Sequence, residues 1–205
     1  MGGALRAATG GTKLDVELDV VPFRGWRREM TWAETGLPWV PPSPNVPTVE
    51  SVYAFAATQI IETTNLSEGR GTCKPFEYIG APFLDGRALA DALNARRLPG
   101  VVFREVCFAP TFGKHAGAVC RGAHLIVTDP RAFDPIRTML AILKAIAAQA
   151  PQALTLMPGF SARLGLGEWT VASLASLDEE GYLARAAQDS AAFLDEVRPY
   201  LLYEA

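Results

Sequence analysis

Between Gly36 and Thr48 the chain carries Pro38, Pro41, Pro42, Pro44 and Pro47. Proline fixes φ and lacks an amide hydrogen, so a stretch this dense in it runs inside neither a helix nor a sheet. It is expected to be a stiff, extended loop. Stiffness matters beside a ligand, because a loop that is already ordered loses little entropy on binding.

The rest of the chain shows alternating strand and helix signals. Leu14, Val16, Leu18 and Val20 alternate with Asp15, Glu17 and Asp19, the period of a half-buried strand with an acidic outer face. Asp85 reads as the N-cap of a helix over 87–97 that stops at Leu98-Pro99-Gly100. Strands are expected over Val101–Phe108 and Ala123–Val127. Asp134 followed by Pro135 opens a second helix, with Ile136, Met139, Leu140, Leu143, Ile146 and Ala147 on one face. Ser176 and Glu179 form a capping-box pattern before a last helix striped by Leu183, Ala186, Ser190, Phe193, Leu194 and Val197. This order predicts an α+β fold, a small mixed sheet with helices packed mainly on one side. Residues 1–13, rich in glycine and alanine, are expected to be disordered or a boundary remnant, and 14–205 to form one domain.

Composition narrows the partners. A net charge of −3 with dispersed Lys and Arg gives no electrostatic reason to bind nucleic acid or an anionic membrane. No apolar run reaches the ~18 residues of a membrane span, so no membrane insertion is expected. The start, Met1-Gly2-Gly3-Ala4, lacks the charged start and apolar core of a secretory signal. Cys73, Cys107 and Cys120 make no CxxC pair and are read as free buried thiols. His115 and His124 have no ligand cluster beside them, so neither a metal nor another cofactor is expected.

Chemistry concentrates in Asn65-Leu66-Ser67-Glu68-Gly69-Arg70-Gly71-Thr72, followed by Pro75-Phe76-Glu77. Ile60-Ile61-Glu62 reads as the end of a strand entering this loop, so Glu62, Glu68 and Glu77 are candidates to meet at one cavity. Two carboxylates flanking a glycosidic bond suffice for hydrolysis, one as acid and the other as nucleophile or base. Glu62 and Glu68 are the catalytic candidates, and Glu77 more plausibly braces the loop. Asn65, Ser67 and Thr72 offer hydrogen bonds to sugar hydroxyls or an N-acetyl group. Arg70 offers a planar fork suited to a carboxylate. A polar loop also hydrogen-bonds to itself, and the competing reading pairs Glu68 with Arg70. Trp39 is a candidate stacking platform, whereas Trp26 and Trp32 are read as packing residues.

The stretch from Trp26-Arg27-Arg28 through the proline loop and the glycine-rich run resembles the NamZ-type exo-β-N-acetylmuramidase family. The likeness resumes at Phe108-Ala109-Pro110-Thr111-Phe112-Gly113-Lys114-His115, at Cys120-Arg121-Gly122, and at Arg198-Pro199-Tyr200. It implies the second domain of a two-domain hydrolase that releases N-acetylmuramic acid from peptidoglycan fragments, with the site in the cleft between domains. The partners it implies are a muramyl-containing glycan and a Rossmann-like N-terminal domain, which another chain would supply if this is a half encoded separately and not a fragment or truncated product. At least one catalytic acid is then expected on that other domain. Family members are often extracytoplasmic. The resemblance places Lys114 and His115 along the cleft, and muramic acid's lactyl carboxylate gives Arg70 an anion to read. The alternatives from other classes are a non-catalytic glycan-binding or docking module, or an inactive truncated product. Two departures stand out: Phe55-Ala56-Ala57-Thr58 replaces a tyrosine-proline-glycine-threonine pattern, and Thr63 stands where a glycine is usual. Residues 152–177 match poorly, and no function is transferred to them.

Overall fold

A computed structural model describes residues 19–203. They fall into two compact units, one of residues 39–183 and a smaller one from the described parts of 1–38 and 184–205. The expected tail 1–13 and most of the strand expected over Leu14–Val20 lie outside the described residues; Asp19 and Val20 belong to no regular element.

In the larger unit the proline-rich stretch holds neither helix nor strand through residue 47. Thr48 then caps α1 (Val49–Thr58), its hydroxyl accepting from the Ser51 amide at 3.3 Å. The chain tightens into a 3-10 helix at Gln59–Thr63. The strand expected to end at Ile60-Ile61-Glu62 is therefore not formed. Ser51, Ala54, Ala57, Thr58 and Ile61 are all buried and recur every three or four residues. That is the spacing of a helical face, carried mostly by small side chains that two adjacent isoleucines outweigh in a local reading.

Next come β1 (Tyr78–Ala81), α2 (Gly86–Ala95), β2 (Val101–Phe108) and β3 (Cys120–Val127). The α+β class holds, and the sheet expected to be mixed is antiparallel in both pairings, with β3 between β1 and β2. Directly paired residues share a face. Phe103 lies opposite Leu125, and Ile79 opposite Ala123, giving a buried apolar face. Helices α1 and α2 pack against the sheet, and α3 (Pro135–Gln149) packs on both helices with Leu140, Leu143 and Ile146 buried. Asp85 and Asp134 cap α2 and α3 as expected, accepting from the amides of Ala88 and Arg137 at 3.0 and 2.9 Å. Strand β3 starts three residues before the expected Ala123. Two short helices, α4 (Phe160–Leu164) and α5 (Val171–Ala175), lie within 152–177, the stretch of poor resemblance.

Helix α6 runs from Glu179 to Val197. Its cap differs from the expected Ser176–Glu179 box: Asp178 accepts from the Gly181 amide at 3.1 Å, while the Ser176 hydroxyl donates back to Ala172 O. The expected stripe is also open at its end, with Phe193 63% exposed. In the smaller unit Trp26 meets Tyr203 edge-on at 4.8 Å, and the Phe23 amide donates to the Tyr203 hydroxyl at 2.5 Å. Cys120 is buried, but Cys73 and Cys107 are exposed, contrary to the expectation of buried thiols; all three are free.

Glu179 itself is diverted into a buried ion pair. Both carboxylate oxygens accept from Arg96, at 2.7 and 2.5 Å, and Lys144 Nζ lies 3.5 Å away. Burial alone would raise this carboxyl, but the hydrogen bonds and charge of Arg96, with Lys144, hold it below the ordinary carboxylate value. A carboxylate depressed in the folded state stabilises the fold above its unfolded pKa, and that contribution is lost as pH falls through the folded pKa. Stability is therefore expected to hold from neutral pH down to the ordinary value of 4.5 and to decline below it. Glu179→Gln is expected to cost about 2 kcal/mol at pH 7, less than for a fully buried pair because Arg96 keeps some access to water, and to flatten the acid decline. Urea unfolding at pH 7 and pH 4 checks both.

Candidate functional site

The 3-10 turn after α1 delivers Glu62, and the loop that follows delivers Glu68 and Arg70. The loop is shaped by two glycines at positive φ. A Cβ on Gly69 (φ +78°) would lie 2.7 Å from Lys74 O, and one on Gly71 (φ +80°) 2.7 Å from the Phe112 backbone. Neither position tolerates a side chain, so the chain turns tightly and Arg70 is held between two fixed points.

Four of the expected residues converge. Glu68, 4% exposed, accepts from Lys114 Nζ at 2.9 Å and lies 3.7 Å from Arg70 Nε. Arg70 Nη2 donates to Glu62 Oε1, and the guanidinium lies 5.4 Å from the centroid of the Phe76 ring. The self-pairing of Glu68 with Arg70 is thus present, as part of a larger network. Lys114 engages all three of its donors, reaching Ile61 O at 2.8 Å, Leu66 O at 2.9 Å and Glu68. His115 Nε2 lies 2.6 Å from Asn65 O. The β2–β3 connection is thereby fastened to the loop from its N-terminal turn to Glu68.

The other polar residues are engaged inside the loop. Asn65 works as a staple: its Nδ2 donates to Ala153 O at 2.8 Å, and its Oδ1 accepts from the Thr155 amide at 2.9 Å. Ser67 is 2% exposed and bridges to Gly80, and its hydroxyl accepts from the Gly69 amide. The Thr72 hydroxyl donates to Gly69 O and accepts from the Lys74 amide. Glu77 braces the loop, accepting from Lys74 at 2.9 Å, with His124 Nε2 at 3.4 Å. Burial pushes the Glu77 carboxyl up, but His124 and Lys74 pull it below its usual range, and Glu77 raises Lys74 in return. Trp39 is half-buried at the head of the proline-rich stretch.

One residue of the network had no sequence signal. Arg163, on α4, donates to Glu62 Oε2 at 3.1 Å from 101 residues away. Beside the network, a cavity of about 750 Å³ is lined by Thr72, Cys73, Tyr78, Phe108, Phe112 and Asn45 among others; Thr72 is the expected site residue that reaches it. Among the described residues no group of three or more His, Cys, Asp or Glu is arranged to hold a metal, and no helix is long and apolar enough to cross a membrane.

Chemically, the network holds two carboxylates under three cations. The carboxylates anchor those cations through hydrogen bonds to Arg70, Arg163 and Lys114. Lys114→Met takes away the cation hydrogen-bonded to buried Glu68 and is expected to cost about 3 kcal/mol, whereas removing an exposed pair such as Arg87–Asp91 is expected to change stability little. Urea unfolding of the two variants compares them directly.

Sequence comparison places this geometry in a family. The model of the C-terminal part of the exo-β-N-acetylmuramidase NamZ matches residues 53–203, and the model of its N-terminal part matches residues 1–50. The peptidoglycan β-N-acetylmuramidase NamZ of Bacillus subtilis (strain 168) is 51% identical over 133 residues, which is 65% of this chain and 32% of that protein. The chain thus spans about a third of that relative's length. Crystal structures of two DUF1343 family proteins from Bacteroides fragilis share the fold. One has a TM-score of 0.69 at 22% identity, covering 88% of this chain and 49% of the other; the second has 0.57 at 20%, covering 80% and 44%. With residues 53–203 matched to one family model, the chain belongs to the exo-β-N-acetylmuramidase NamZ family.

Proposed function

We propose that this chain forms one wall of the glycan cleft of a peptidoglycan glycoside hydrolase that releases N-acetylmuramic acid from the non-reducing end of muramyl-containing fragments. One observation carries the reading. The stretch matched to the family's C-terminal model contains the whole network of Glu62, Glu68, Arg70, Lys114 and Arg163. The relative from Bacillus subtilis carries the β-N-acetylmuramidase name.

In this reading Arg70 faces the substrate. Its side chain is 38% exposed above Glu68 at 5%, so a ligand meets the guanidinium before the buried carboxylate. Muramic acid bears a lactyl carboxylate, and a guanidinium fork matches a carboxylate. Glu62, with a side chain 19% exposed, is the carboxylate a substrate can approach, and it serves the anionic role, nucleophile or base. Glu68 holds Arg70 and Lys114 from beneath. Asn65, Ser67, Thr72, Glu77, Lys114 and His115 keep the wall in shape, and Trp39 lies along its rim. We assign the proton donor and the opposite wall to the family's N-terminal, Rossmann-like part, whether continuous with this sequence or supplied by a second chain.

Titration calorimetry with a muramyl–glucosaminyl disaccharide tests this. Saturable binding to the purified chain is expected, with Arg70→Lys weakening it about tenfold, ~1.4 kcal/mol. No binding would contradict the reading. Release of N-acetylmuramic acid by the chain alone is expected to be negligible. Steady turnover would overturn the assignment of the acid to the N-terminal part.

A further inference from the structure

Arg163 reaches the network through a chain of specific contacts. The Asn65 staple ties Ala153 and Thr155 to the loop, Thr64 bridges to Leu156, and the Met157 amide donates to Thr63 O at 2.8 Å. This lays residues 153–157 along the 3-10 turn that carries Glu62. Helix α4 then makes a single turn, with Phe160 and Leu164 both buried, four residues apart on one face. Arg163 falls off that face and lies over Glu62.

Three features of the network then need an explanation. Glu62 and Glu68 oppose Arg70, Lys114 and Arg163, leaving one positive charge in excess. Lys114 has no donor to spare. Arg70 Nε is buried without a hydrogen-bond partner, and Arg163 makes its hydrogen bond to Glu62 with one of its five N–H groups. Side-chain exposure climbs from Glu68 at 5% through Glu62 at 19% to Arg70 at 38% and Arg163 at 44%. The excess charge therefore lies on the two exposed guanidinium groups; Arg70 Nε faces inward to Glu68 at 3.7 Å, so the donors left for solvent are the other N–H groups of Arg70 and those of Arg163. Two guanidinium groups drawn together by one shared carboxylate repel each other, and a second anion between them relieves that repulsion.

We propose that Arg163 and Arg70, backed by Glu62, form a two-guanidinium receptor for a single ligand carboxylate, and that Arg163 is thereby a specificity-determining residue for acidic over neutral sugars. This rests on the cleft assigned above, and within it the carboxylate is the lactyl ether of muramic acid. The ion pair to Glu62 does not account for Arg163 by itself, since a pair this exposed adds little to stability.

The test compares a muramyl–glucosaminyl disaccharide with its lactyl methyl ester, which keeps the sugar and removes the charge. Affinities are measured for the unmodified chain, Arg163→Gln and Arg163→Lys, with thermal unfolding as the control for folding. The unmodified chain is expected to prefer the acid about tenfold. Arg163→Gln should lower affinity for the acid far more than for the ester, Arg70 keeping part of the preference, with little change in melting temperature; Arg163→Lys should fall between. If Arg163→Gln keeps the full preference, Arg163 is not part of the receptor and the cleft reading survives. If the unmodified chain binds acid and ester alike, the receptor is wrong and the cleft still stands. If it binds neither, the cleft reading falls and the receptor with it.

Discussion

The ammonium group of Lys114 organises the site. It sits where three acceptors converge: two backbone carbonyls, Ile61 O and Leu66 O, and the buried carboxylate of Glu68. The carbonyls come from the turn after α1 and from the loop itself, while Lys114 comes from the β2–β3 connection. One side chain therefore fixes three segments. A lysine in this position satisfies its three donors and neutralises a buried carboxylate, which would otherwise be costly. With Glu68 fixed, Arg70 is restrained by the Glu68 charge, by Glu62 and by the Phe76 ring. Phe76 is itself held at φ +65° by the short hydrogen bond from its amide to Glu68 O. The backbone conformation and the charge network support each other.

This division of labour explains why so few of the loop's polar groups point outward. Asn65, Ser67, Thr72 and Glu77 look like ligand donors in the sequence, yet each has its hydrogen bonds within the loop or to a neighbouring segment. The loop's backbone bonds tie it to Gly80 and to itself, and its polar side chains take up further amides and carbonyls that these bonds leave open. What remains exposed above that frame is two guanidinium groups. The candidate site is closely hydrogen-bonded beneath and cationic on its exposed side, which fits the anionic ligand proposed for it.

The elements with strong local signals were legible in the sequence. Asp85 and Asp134 announce their helices by side-chain capping, and β2 follows from its β-branched and aromatic run. Helix α1 was hidden because alanines carry its buried face, and β1 because four residues around a glycine hold little pattern. The cap of α6 was misread because Glu179, a good capping-box residue, has a better partner in Arg96, 83 positions away. The site divides in the same way. Glu62, Glu68, Arg70 and Lys114 lie in recognisable motifs, but their connection through Lys114 is tertiary. Arg163 stands in a stretch with no motif, and tertiary ties bring it to Glu62: the Asn65 staple, the Thr64–Leu156 bridge and the Met157 amide on Thr63 O. Long-range pairing of single polar residues leaves no periodicity to read.

In the proposed receptor, Arg70 and Arg163 together receive the carboxylate of a muramyl ligand. The most direct measurement is NMR of the arginine side-chain Nε–Hε resonances during titration with the muramyl–glucosaminyl disaccharide. The resonances of Arg70 and Arg163 are expected to shift together and saturate at one ligand per chain, while those of Arg87 and Arg185, paired on exposed helix surfaces, stay fixed. Saturable binding that leaves Arg70 and Arg163 unmoved would contradict it.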